Sequence, residues 1–260
     1  MNRNILKILK FRIYGKFAHF KKFYTNSSSL SYLVPPRTVI AGMLASVMEY
    51  ERDSYYEVFS PEKIKISVAV STGTVITKQM QSMNYLHFKY HNLLSKGTGD
   101  IKKLNMHSQC KLELLTARKA RIEYMVYVGA IAEDSIKFID DIEKKLLEGN
   151  LGYGVYLGQR QFMARINSVR TYKLNENSFI ESSDYIDSIC LEENISSILN
   201  DSHDVHMIID QMPIQMVSKQ RGRELLTVKR VLFEQSGKRI HGVFKNCYKV
   251  GEKIISFYEG

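Results

Sequence analysis

Pro35, Pro36, Arg37 and Thr38 stand at the head of a run, VIAGMLASVMEY, whose apolar residues recur at helical spacing. Proline suits a first helical turn, because the amide it lacks has no partner there. A helix entry offers unpaired N–H groups and a partial positive charge, the chemistry that holds phosphate. An arginine at that end opposes the helix dipole. Its planar fork nevertheless matches two phosphate oxygens, and the Thr38 hydroxyl adds a further polar group. Lys16, His19, Lys21 and Lys22 lie in the loop just before. The pattern points to an anion at the helix entry, met by an exposed Arg37.

A second set of candidates lies in residues 78–112. This stretch mixes lysines, two glycines and a single acid, Asp100, with Tyr85, Phe88 and Tyr90. Lysines meet phosphates, and aromatic faces or Met80 and Met83 wedge against bases. The stretch shows little regular pattern, and it is expected to be a functional or mobile arm. His87, His91 and His107 fall in it, without a cysteine or carboxylate at metal-ligand spacing.

A third set is LGYGVYLGQRQFMARI, residues 151–166. Gly152, Gly154 and Gly158 imply tight turns and close backbone approach, but they lack the βαβ context of a dinucleotide site. Arg160 and Arg165 either follow a nucleic-acid backbone or sit on the surface of a strand pair. There is no serine-hydrolase elbow, P-loop, zincin helix or two-metal carboxylate cluster, so no catalytic residue, cofactor or metal site is expected.

The elements that must position these groups follow from periodicity. ILKILKFRIY (5–14) reads as a strand, followed by a Ser-rich loop and then the helix carrying Val39, Ile40, Met43, Leu44 and Val47 on one face. In KIKISVAVSTGTVIT (63–77), Ile64, Ile66, Val68 and Val70 alternate as in a strand. RIEYMVYVGA (121–130) is another. EDSIKFIDDIEKKLL (133–147) is an amphipathic helix with acids in its first turn and Ile136, Ile139, Ile142 and Leu146 on one face. One or two strands follow to residue 173. The order is β–α–β–insertion–β–α–β, that of a ferredoxin-like or RRM-like antiparallel sheet. The class is α+β: an RRM-like unit over 1–172 with an insertion at about 78–118, an acidic connection over 173–218, and a small β region over 219–260 with two or three short strands.

Charge is segregated along the chain. The net charge is +10, yet residues 174–218 hold nine acids and no Lys or Arg. Residues 1–48 carry Arg3, Lys7, Lys10, Arg12, Lys16, Lys21, Lys22 and Arg37, with no acid before Glu49. Such separation presents a basic face to a polyanion. No apolar run reaches the roughly 18 residues of a membrane span, so no membrane partner is expected. Cys110, Cys190 and Cys247 are odd in number and far apart, which fits a reducing cytoplasm.

FRIYGKFAHFKKFYTNSSSLSYLVPPRTVIAGMLASVME resembles the opening of the fifth family of CRISPR-associated (Cas) proteins, of the RAMP superfamily, through Gly15, Ala18, Phe20, Pro35, Pro36, Arg37, Thr38, Gly42 and Leu44. TKQMQSMNYL, KLELLTARKARIEYMVYV and GVYLGQRQFMARI resemble its later blocks, and the style is closest to subtype I-B. The resemblance implies an extended β-hairpin thumb, a small C-terminal β domain and membership of the type I surveillance complex, Cascade. It implies a non-catalytic subunit that caps the 5′ handle of the CRISPR RNA, contacts the backbone and large subunits, and meets target DNA only indirectly. The candidate RNA contacts are Lys16, His19, Lys21, Lys22, Arg37, Thr38, Lys78, Gln79, Gln81, Asn84, Lys102, Lys103, Arg118, Lys119, Arg121 and Arg160. The I-C branch implies an alternative, a metal-independent endoribonuclease using Tyr with an adjacent Lys–His pair. Lys89 and His91 are separated by Tyr90 here, and no Lys–His dipeptide occurs. A protein–protein scaffold without RNA contact is the third reading.

Overall fold

A computed structural model describes residues 5–25, 29–97, 107–118, 121–199, 204–220 and 222–259. In chain order the elements are β1 (Lys7–Gly15), β2 (Phe20–Lys21), β3 (Ser31–Tyr32), α1 (Arg37–Val47), β4 (Ile64–Val70), β5 (Ile76–Leu86), α2 (Phe88–Ser95) and β6 (His107–Ala117). There follow β7 (Ile122–Ala130), α3 (Glu133–Leu147), β8 (Arg165–Lys173), β9 (Phe179–Ile186), β10 (Cys190–Leu191), β11 (Ile195–Leu199), β12 (Met207–Lys219), β13 (Gly222–Glu234), β14 (Ile240–Val250) and β15 (Lys253–Ile255).

Alternation along the strands gives the central sheet two different faces. Its order is β4-β7-β1-β8, and every neighbouring pair is antiparallel. Leu9, Phe11 and Ile13 of β1 face a core shared with Ile40, Leu44 and Val47 of α1 and Ile139, Ile142 and Leu146 of α3. Each side chain of this kind, taken wholly out of water, stabilises the fold by about 1.5–3 kcal/mol. On the opposite face Ile8, Ala69 and Tyr127 pack under Tyr248, Val250, Ile255 and Phe257 from the C-terminal end of the chain. No helix among the described residues is long and apolar enough to cross a membrane.

Two expectations are corrected. Residues 78–112 are not patternless: β5 and β6 pair along their whole length, from Ile76 opposite Ala117 to Leu86 opposite His107, with α2 between them. The hairpin was hidden because Lys78–Ser82 are all exposed, so β5 shows no apolar alternation there. Nor are residues 174–218 a connection. They supply β9, β10, β11 and β12, and β12 pairs with β13 across the expected boundary at residue 218. Acids at solvent-facing positions, such as Glu181 and Asp184 of β9, masked these strands, while Met212 and Ile214 of β12 reach the main core. After residue 219, β13 and β14 are long, 13 and 11 residues, and β15 is short, 3 residues.

Candidate nucleic-acid interface

Arg37 does not await a phosphate. Its residue is 2% exposed, and its guanidinium is spent on the protein. Nε donates to the Glu259 carboxylate, Nη1 to the Ile214 carbonyl at 3.2 Å, and Nη2 to the Phe59 and Ile64 carbonyls at 2.6 and 2.9 Å. Glu259 also accepts the Ile66 amide at 3.1 Å. Burial pushes the Glu259 carboxyl above its usual range, and the Arg37 charge opposes that shift. The positive charge at the entry of α1 is thus answered by a carboxylate near the end of the chain.

His19 is also structural. It is 1% exposed, with Nδ1 2.9 Å from the Glu113 carbonyl and Nε2 2.9 Å from the Ser29 hydroxyl. A carbonyl only accepts, so Nδ1 carries the proton and Nε2 takes the Ser29 hydroxyl hydrogen. Burial pushes the imidazole pKa down, which keeps this neutral form. The ring clasps the loop after β1 onto β6. Lys22 is half-buried against Asp210 and over the rings of Tyr24 and Tyr32. Lys78 donates to the Ser31 carbonyl at 2.8 Å and to Glu113 at 3.0 Å. Arg121 stacks 4.2 Å from the Tyr14 ring centre and pairs with Glu123. These three carry compensated charge.

Lys16, Lys21, Gln79, Gln81, Asn84, Arg118 and Arg160 are exposed. Lys102, Lys103 and Lys119 lie outside the described residues. Thr38 lines a groove of about 1220 Å³ between α1, the glycine-containing loop 151–163 and the β12–β13 hairpin.

Close backbone approach builds that groove. Gly158 has φ +89°, and a Cβ there would lie 1.9 Å from the His19 carbonyl oxygen. Gly152 has φ +54°, and its Cβ would lie 2.3 Å from the Ser46 carbonyl oxygen at the end of α1. Only glycine fits either position, so the loop is pinned to both the helix and the β1 loop. Between these pins it presents Tyr153, 70% exposed, Met163, 65% exposed, and Tyr156. Arg160 has no ion pair among the described residues, whereas Arg52 and Arg223 lie 3.4 and 3.7 Å from Asp53. The β5–β6 hairpin adjoins this loop through Gln161, whose Nε2 is 3.5 Å from the Tyr85 hydroxyl, and the loop after β1 through the Ala18–Leu115 bridge. The groove and hairpin combine an uncompensated cation with exposed aromatic and thioether groups, which suits phosphates and bases.

Tyr153, Tyr156 and Met163 are not among the candidates read from the sequence, although their interleaving with the glycines was a usable signal. Among the histidines of the arm, His87 caps α2 by accepting the Lys89 amide at 3.2 Å, and His91 is exposed. His107 pairs with Leu86 at the far end of the ladder. No cluster of metal-ligating side chains occurs among the described residues.

The architecture is that of an α+β protein of antiparallel sheets with three α-helices among the described residues. A crystal structure of a CRISPR protein from Archaeoglobus fulgidus shares this fold, with a TM-score of 0.56, 12% identity, and 96% of this chain and 98% of that chain covered. A chain of a CRISPR RNA-guided surveillance complex aligns with a TM-score of 0.48 and 15% identity over 88% of this chain and 90% of that one. No curated protein matches. Residues 8–240 match the family described as CRISPR-associated protein (Cas_Cas5), and the chain belongs to that family.

Proposed function

We propose that the protein is an RNA-binding subunit of a CRISPR surveillance complex, holding the 5′ handle of the CRISPR RNA and contacting the backbone and large subunits. The observation that carries this reading is the groove of Tyr153, Tyr156, Met163 and unpaired Arg160, continuous with the β5–β6 hairpin. The β–α–β–β–α–β connection, with its sheet order β4-β7-β1-β8, supports reading residues 1–172 as an RRM-like unit with a thumb. Family membership supports the assembly.

In this reading Arg160, Lys16, Lys21 and Arg118 neutralise phosphates, Tyr153 and Tyr156 stack on bases, and Gln79, Gln81 and Asn84 hydrogen-bond to unstacked nucleotides. Thr38 borders the same path. The role is to bind and position, not to cleave. The test is the affinity of a repeat-derived RNA for wild-type protein and for Arg160→Ala and Tyr153→Ala. Each substitution should weaken binding by about 1–3 kcal/mol, the range for a charge-assisted hydrogen bond or a base stack. Unchanged affinity in both would overturn the reading.

A further inference from the structure

The central sheet has an excess of charge that neither the groove nor the hairpin uses. Its four strands carry Lys7, Lys10, Arg12, Lys65, Arg165, Arg170 and Lys173 against a single acid, Glu123. Register places most of these cations on the face turned away from the helices. Lys10 pairs with Arg170, Arg12 with Asn167 and Tyr14 with Arg165, while Leu9, Phe11 and Ile13 between them point into the helix-side core. A register shift lies between Lys10 and Arg12, and on β8 Ser168 takes φ +55°. Without this bulge Asn167 and Arg170 would fall on opposite faces; with it, both share the face of Lys10 and Arg12. Arg121 lies at the same end, on the Tyr14 ring.

Charged residues on an edge strand discourage sheet-to-sheet pairing, which accounts for Arg165 and Arg170 on β8. It does not account for Lys10 and Arg12 on β1, an interior strand. The Lys10 ammonium lies 5.8 Å from the Tyr127 ring centre and 5.9 Å from that of Tyr172. The charges facing it are Arg170, Lys253 and Arg12, all cationic, and burial and these neighbours push its pKa down. Of the cluster, Arg12 is 3.6 Å from Glu123, and Lys253 is 3.1 Å from Asp187. Arg165 and Arg170 have no ion pair among the described residues. Cations repeat along a strand every second residue, about 6.7 Å apart, which suits a repeating anion. Arginine predominates, and its fork fits phosphate oxygens better than a lysine does.

We propose that the part of this face left uncovered by the C-terminal strands, with Arg165 and Arg170 exposed and Lys10 and Arg12 half-buried beside them, is a second binding surface for a single-stranded nucleic-acid backbone, on the opposite side of the sheet from the groove. The surface takes a strand by its phosphates, so its binding is indifferent to sequence.

The test uses the full chain and a fluorescein-labelled oligouridylate of about 12 nucleotides, titrated across salt by anisotropy. R165E/R170E changes two exposed side chains, so the melting temperature should stay unchanged. Its binding should weaken at least tenfold, and the slope of log affinity against log salt should flatten by about 1.4, at roughly 0.7 per lost phosphate contact. R160E should weaken binding separately, and the two losses should multiply in the combined variant. Wild-type affinity and slope in R165E/R170E would overturn the second surface while leaving the groove reading intact. Loss of binding to a poly-glutamate peptide, with oligouridylate binding unchanged, would assign the face to an acidic protein partner and equally overturn it. Loss in R165E/R170E with none in R160E would support the open face and count against the groove.

Discussion

The entry of α1 and the glycine-containing loop each present one arginine beside the same groove, and their fates are opposite. Arg37 looks from its local sequence like a phosphate ligand, yet it is sealed inside by Glu259 and three carbonyls. Arg160 reads in sequence as either a backbone contact or a strand-surface residue, and it stands exposed, with no ion pair among the described residues, beside Tyr153, Tyr156 and Met163. Residue type does not separate the two; what lies within reach of each guanidinium does. A buried arginine with a buried carboxylate holds the fold, and an exposed one without a carboxylate is free to meet an anion.

The largest effect should come from breaking the buried pair. Arg37→Ala leaves Glu259 buried and uncompensated, and should cost about 3–5 kcal/mol of stability, read by thermal or urea unfolding. RNA affinity per folded molecule should not change. A loss of RNA binding with an intact melting temperature would return Arg37 to the interface. Gly158→Ala should follow, since its Cβ would collide with the His19 carbonyl and the backbone has positive φ. We expect about 1–3 kcal/mol of destabilisation together with weakened RNA binding, because the loop is displaced. A neutral outcome in unfolding would show that the loop is not pinned as described.

Acid sharpens the contrast for His19. Its folded pKa lies below the ordinary value of 6.5, so on acidification the unfolded chain takes up the proton first. The neutral imidazole therefore contributes its full stability above about pH 6.5, and this is lost progressively as the pH falls toward the lower folded value. Melting curves from pH 7.5 to 5.5 should show a decline that is smaller in His19→Gln. A phosphate-contacting His19 would instead give RNA binding that tightens in acid and weakens in the His19→Gln variant. The smallest effect is expected at His91 and His107, where alanine should leave the products of repeat RNA unchanged on a denaturing gel. Metal-free cutting that either substitution abolishes would favour a ribonuclease.

Local periodicity carried the parts of the fold where one face is apolar. β1, β4, β7 and α3 could be read because Leu9, Phe11, Ile13 and Ile139, Ile142, Leu146 recur at strand and helix spacing. The β5–β6 hairpin could not, because solvent meets most of β5 and the ladder is held by backbone hydrogen bonds. The C-terminal strands were obscured for a related reason, since acids occupy outward positions of β9 and the pairing partner β14 comes more than fifty residues later. Within the site, Arg160 and its glycines were visible in sequence. The burial of Arg37 was not, because Glu259 lies 222 residues away, and no local pattern announces a contact of that separation.

The central claim is that the groove and its hairpin bind RNA through phosphates and bases. The most direct measurement is the affinity of a repeat-derived RNA for wild-type protein and Arg160→Glu between about 50 and 200 mM salt. The account predicts a steep fall in wild-type affinity with salt, and a weaker, shallower dependence in Arg160→Glu at unchanged melting temperature. A flat salt response, or identical curves for the two proteins, would contradict it.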